Sequence, residues 1–196
     1  MIINITQNKS LYSPITDNQD GTYYVRWGYK EIDENTAFWV EDLYYSKPKF
    51  EMLQDTILDW YNKKVDEKIL SGFKWKDMEV WLSTENQFNY KAAFDLAIQM
   101  QGQNLPIKFK FGKPKDPTYY TFTTIEDLQD FYLSAMTYIN QCLDEGWQEK
   151  DSIDWDKYNI DKILKEQESD KKLKESEITE NEISDASVDT STEMEN

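Results

Sequence analysis

Apolar and polar positions alternate along TYYVRWGYKEI, residues 22–32. Tyr23, Val25, Trp27 and Tyr29 share one face of a strand, and Tyr24, Arg26, Gly28 and Lys30 share the other. DENT reads as a turn, and AFWVEDLYY as the return strand, with imperfect alternation. Asp20-Gly21 reads as a turn, because the oxygen spacing of a calcium loop is missing around it. After Lys47-Pro48 the period changes. Phe50, Leu53, Ile57, Tyr61, Val65 and Ile69 recur at steps of three or four, which predicts an amphipathic helix. Ser71-Gly72 is its stop.

The run GFKWKDMEVW predicts a tight hairpin turning at Lys76-Asp77. Trp75 then pairs with Met78, Lys74 with Glu79, Phe73 with Val80 and Gly72 with Trp81. One face carries Phe73, Trp75, Met78 and Val80, and the other a cross-strand Lys74–Glu79 pair. Trp81 falls opposite a glycine, where a large ring can cover bare backbone. Lys-Asp is not the preferred composition for so tight a turn. Thr84 and Gln87 have capping-box spacing. They open a helix through Met100 with Phe88, Ala92, Ala93, Leu96, Ala97 and Met100 facing inward, and Gly102 ends it.

A second hairpin follows, with Ile107, Phe109 and Phe111 alternating with Lys108 and Lys110. GKPKDP is expected as a long turn, and Tyr119 to Thr123 as the return strand. Thr123 with Glu126 is a further capping-box candidate. The third helix is expected from Thr124 to Glu145, with Ile125, Leu128, Tyr132, Ala135, Ile139 and Cys142 at core spacing and Gly146 as its stop. SIDWDKYNIDKIL predicts a short helix packed by Ile153, Trp155, Tyr158 and Ile160. The expected fold is α+β, with antiparallel β-hairpins and helices packed on one side. It divides into a hairpin unit (1–47), an α+β unit in the order helix, hairpin, helix, hairpin, helix (48–164) and an acidic tail (165–196).

Composition sharpens this picture. Seven Trp, 13 Tyr and 9 Phe in 196 residues supply a real core. From Lys165 to Asn196 there is no aromatic residue, and 11 acids stand against 4 bases. That segment is expected to be disordered, or to extend a helix into solvent. The net charge of −16 repels phosphate, so direct nucleic-acid binding is not expected. The chain has no histidine and a single cysteine, Cys142. This removes the usual general base, the usual zinc ligand and the Ser-His-Asp triad, and it leaves no intrachain disulfide. MIINITQNKSLYSP does not have the pattern of a signal peptide, and no apolar run approaches a membrane span.

The strings GF-x-W, VWLS, ENQ-x-NY, KFKFG and EGW, in that order, resemble a small uncharacterised domain of bacteriophage tail-fibre-associated and tail-fibre-assembly-like proteins. The leading YYVRWGYKE hairpin is similar to what precedes that domain in phages and prophages of Bacteroides-like gut bacteria. The resemblance covers roughly residues 22–155. It implies a structural, assembly or virion-associated role in the virion or the host cytoplasm. The implied partners are other phage structural proteins or a second copy of this chain. It carries over no catalytic residue.

Candidate chemistry is thin. Asp127 with Asp130, Glu41 with Asp42, and Asp154 with Asp156 are carboxylate pairs, but 38 acids in 196 residues produce such pairs by chance. Cys142 lies on an apolar helical stripe and reads as a buried thiol. Lys108, Lys110, Lys113 and Lys115 make a local basic strip that reads as a solvated strand face. There is no phosphate-binding glycine motif. No catalytic residue, cofactor site or metal site is therefore expected. What remains is a set of tryptophans on hairpins, Trp27, Trp39, Trp75 and Trp81, as candidates for partner binding. Trp81, on the polar face, is the best placed. The expected function is non-enzymatic protein–protein contact in a phage tail, fibre or virion. The alternative is an acidic decoy that imitates nucleic acid and blocks a host DNA-binding defence protein.

Overall fold

The computed structural model describes residues 2–113, 115–166 and 169. The expectations for the acidic tail from residue 170 onward lie outside the described residues. The fold is α+β, and its chain divides into two compact units. One takes in the residues up to Gln54 and those from Asp154 on; the other runs from Asp55 to Ile153.

In the first unit, four antiparallel strands lie in the order β1-β4-β3-β2, with β1 Ile3–Asn8, β2 Ile15–Asp17, β3 Tyr23–Glu31 and β4 Thr36–Tyr44. The hairpin expected over residues 22–45 is β3–β4. Its flanking strands give little signal, because β1 has no buried residue and β2 is three residues long. Tyr23, Val25 and Trp27 are buried on one face of β3, as the alternation predicts. Tyr29 departs from that face, because the register shifts between Trp27 and Lys30, where Gly28 has a φ of 63°. The imperfect alternation of β4 reflects consecutive burial of Trp39 and Val40. Across the sheet, Arg26 pairs with Glu41 at 2.6 Å and donates to Thr16 Oγ1 at 2.7 Å. After Asp154 the chain forms a 3-10 turn, Trp155–Tyr158, and a helix over 160–166, here α4. Tyr158 and Ile160 are buried, and the Tyr158 hydroxyl donates to the Arg26 carbonyl at 3.1 Å.

Helix α1, Phe50–Ser71, begins in the first unit and continues in the second. The second unit also holds the hairpin β5 (Lys74–Trp75)–β6 (Met78–Glu79), α2 (Thr84–Gln99), the hairpin β7 (Ile107–Lys113)–β8 (Asp116–Phe122) and α3 (Ile125–Asp151). The first hairpin has the expected register, Lys74 opposite Glu79 and Trp75 opposite Met78. Val80 N donates to the Phe73 carbonyl at 3.0 Å. Lys76 and Asp77 both have positive φ, 46° and 61°, as a two-residue turn of this twist requires. The second hairpin is longer than expected. Its strands extend to Lys113 opposite Asp116, into the run read as a long turn.

Both helix starts are displaced by one residue from their expected capping boxes. Ser83 caps α2, its hydroxyl accepting from Asn86 N, and Thr124 caps α3, accepting from Asp127 N. Gly146 does not stop α3, which runs through it to Asp151. Instead it gives close passage to α1, because a Cβ there would meet Val65 Cγ2 at 2.3 Å. Ion pairs Lys64–Glu149 and Lys68–Glu145 flank that crossing. The core of this unit is largely aromatic. Phe131 of α3 lies 5.2 Å from the Trp75 ring, 5.2 Å from Phe111, 5.4 Å from Phe122 and 4.9 Å from Tyr90.

Candidate functional site

The four tryptophans separate sharply. Trp27 and Trp39 are buried in the first unit, and Trp75 in the second; Trp81 is 49% exposed. Their burial takes Trp27, Trp39 and Trp75 off the surface, because each ring is spent on core packing. Trp75 also carries structure at its polar edge, donating to Asp130 Oδ2 at 2.9 Å.

Trp81 sits between β6 and α2 on a backbone held from both sides. Its carbonyl accepts from Asn86 Nδ2 at 2.8 Å, and the next residue, Leu82, donates its N–H to the Leu70 carbonyl at 3.0 Å. Leu82 is buried and anchors the segment. The ring does not serve as the expected lid on Gly72. The space a Gly72 side chain would need is taken by the Tyr138 hydroxyl, which donates to the Lys68 carbonyl at 2.8 Å. The indole is thus left half-exposed on a preorganised support.

Helix α2 adds apolar surface that the sequence reading assigned to the core. Its buried side chains are Tyr90 and Ala97, with Phe94 stacked on Tyr132 at 4.8 Å. Phe88 is 72% exposed, and Leu96, Ile98 and Met100 are exposed too. Two stripes at helical spacing compete on this helix, Phe88-Ala92-Leu96 and Tyr90-Phe94-Ala97. The aromatic cluster takes the second, because Tyr90 and Phe94 supply rings facing Phe131 and Tyr132.

The polar groups are largely committed to the fold. Lys76 Nζ donates to Asp127 and, at 3.0 Å, to the Tyr120 hydroxyl, which itself donates to Asp127 Oδ2 at 2.8 Å. The same ammonium lies 4.3 Å from the centre of the Trp75 ring. The bonds to Asp127 and Tyr120 hold Lys76 above the usual lysine range. It therefore stays protonated at neutral pH, unlike a lysine base. Glu41 is paired to Arg26, Asp156 to Lys162, and Asp154 caps the 3-10 turn. Cys142 is buried. Burial pushes the Tyr90 hydroxyl up to about 12. In the basic strip, Lys108 lies over the Tyr119 ring and Lys113 is 3.8 Å from Glu79.

A cleft of about 570 Å³ opens among α1, α2 and α3, floored by Ile69, Leu70, Leu82 and Ile139. The Ser83 hydroxyl and Gln87 amide that line it are already bonded to the backbone of Asn86 and Leu82. Among the described residues, no three metal-ligating side chains cluster. No helix among them is long and apolar enough to cross a membrane.

Residues 52–169 match the family model of a domain of unknown function, DUF4376. The chain belongs to the DUF4376 family. The matched segment takes in nearly all of α1, both short hairpins, α2, α3 and the chain that follows; the four-stranded sheet lies ahead of it. No curated protein and no solved structure matches the chain. Trp81 and the outward face of α2 both lie within the DUF4376 segment. The family description assigns no activity, and the tail-fibre association stays a proposal.

Proposed function

We propose that this chain is a non-enzymatic protein that works by protein–protein contact, as a structural or assembly component of a phage tail, tail fibre or virion. It acts in the virion or in the host cytoplasm, on other phage structural proteins. The observation that carries the reading is Trp81, a half-exposed indole whose carbonyl is held by Asn86 and whose neighbour Leu82 is held by the Leu70 carbonyl. Exposed tryptophans dominate binding energy when they enter a pocket on a partner, and a rigid support lowers the ordering cost. The outward face of α2 supplies apolar surface beside this anchor in sequence. The commitment of Lys76, Asp127, Asp130 and Glu41 to structural bonds favours a binding role over catalysis.

The test is size exclusion of purified phage particles, and of the recombinant chain with tail proteins, followed by mass spectrometry. Association with the particle or with a tail protein supports the reading. Absence from both defeats it.

The net charge of −16 favours a second reading, a nucleic-acid-mimicking decoy. The interspersed lysines, with Lys108 and Lys110 side by side on the exposed face of β7, weaken the imitation. Capture of a DNA-binding defence protein that weakens steeply with salt would favour the decoy.

A further inference from the structure

The outward stripe of α2 is self-complementary. Phe88 and Leu96 lie four residues on either side of Ala92, and Glu85 and Gln99 lie seven on either side. All five are exposed. We propose that two copies of this chain pair through α2, antiparallel and centred on Ala92. The proposal rests on the protein-contact reading and names one occupant of that surface.

The geometry follows from the helix alone. At 100° per residue, Phe88, Ala92 and Leu96 form one slanted row with the smallest side chain in the middle, where the helix axes can approach. A two-fold axis at Ala92 sets Phe88 of each copy beside Leu96 of the other, and Glu85 beside Gln99, a carboxylate facing an amide donor. The charges agree as well. Lys91 and Asp95, bonded to each other at 2.7 Å within one helix, lie on the same flank of the row. In the antiparallel pair that flank faces itself, and Lys91 of one copy falls within about 3 Å along the axis of Asp95 of the other. The Lys91–Asp95 flank is thus neutral, and the two Glu85 carboxylates lie at opposite ends of the contact, so the repulsion of a chain of net charge −16 is not focused at its centre. With Phe88 72% and Leu96 46% exposed, one helix face supplies a small apolar contact, of the size of transient rather than permanent interfaces. A reversible dimer follows.

Sedimentation equilibrium of the full chain across the micromolar range tests this. The weight-average mass should rise from one copy toward two. Phe88→Glu should keep the chain monomeric without unfolding it, because that side chain is already in solvent. Asp95→Lys sets like charges across the axis and should raise the dissociation constant at least tenfold. Lys91→Asp with Asp95→Lys restores opposite charges and should recover the dimer. Ala92→Cys should give a disulfide-linked dimer on mild oxidation. A wild-type chain that stays monomeric throughout overturns the proposal, as does a dimer that Phe88→Glu or Asp95→Lys leaves unchanged. A monomeric chain that still binds a tail protein through Trp81 would leave the protein-contact reading standing and assign the α2 face to another occupant.

Discussion

The Trp75 indole nitrogen donates to Asp130 Oδ2 at 2.9 Å and so ties the tip of the first hairpin to the second turn of α3. The ring is 5% exposed, within 5.4 Å of Phe122 and 5.2 Å of Phe131. Asp130→Ala leaves that donor without its acceptor and should cost about 1–2 kcal/mol in urea unfolding. Trp75→Ala, which also empties the centre of the aromatic cluster, should cost about 3–5 kcal/mol. The double variant should cost less than the two added, because the bond is lost only once.

Gly146 is where α3 passes α1. A Cβ there would meet Val65 Cγ2 at 2.3 Å, and a β-branched side chain has little rotamer freedom to yield. Gly146→Ala should destabilise the fold by about 1–3 kcal/mol despite alanine's better helix propensity. In a Val65→Ala background the same change should become neutral or favourable by up to about 1 kcal/mol. Thermal unfolding of the four proteins checks both signs.

Tyr90 gives the fold an alkaline limit. Burial raises its hydroxyl to about 12, so above pH 10 the unfolded chain loses this proton while the folded chain keeps it. The contribution is intact below pH 10 and shrinks as pH rises from 10 to about 12, by on the order of 2 kcal/mol. Tyr90→Phe has no proton to lose and should flatten that part of the stability profile. An unchanged alkaline slope in Tyr90→Phe would contradict the assignment.

Asp77 holds a φ of 61° in the hairpin turn. Glycine adopts that conformation without strain and is the preferred residue at this turn position. Asp77→Gly should raise stability by about 0.5–1 kcal/mol, read as a higher urea midpoint with an unchanged slope. Lys76, the other turn residue, is left in place because its ammonium holds Asp127 and Tyr120.

The same hairpin shows how far a sequence can be read. Its register was legible because two constraints coincide: alternation put Phe73, Trp75 and Val80 on one face, and the opposite charges of Lys74 and Glu79 paired across it. β1 was not legible, because an edge strand with no buried residue leaves no alternation. The orientation of α2 was misread for the opposite reason. Two apolar rows satisfy the helical period, and only the tertiary packing of Tyr90 against Phe131 decides which is buried. That misreading concealed the surface of Phe88 and Leu96. Trp81 was legible as exposed because it fell on the polar face of the hairpin, although the ring expected to cover Gly72 proved to be Tyr138. Trp27, Trp39 and Trp75 could not be told from it by composition alone, since burial of an indole depends on what the other unit members place over it.

The measurement that tests the central claim most directly is co-elution of the full chain with recombinant phage tail and tail-fibre proteins, wild type beside Trp81→Ser. The substitution removes a half-exposed ring and leaves the backbone bonds to Asn86 and Leu70 in place. Protein contact through Trp81 predicts a stable complex for the wild type, and at least a tenfold loss of affinity for a variant of unchanged fold. No complex with any tail protein, or a complex that Trp81→Ser does not weaken, would contradict it.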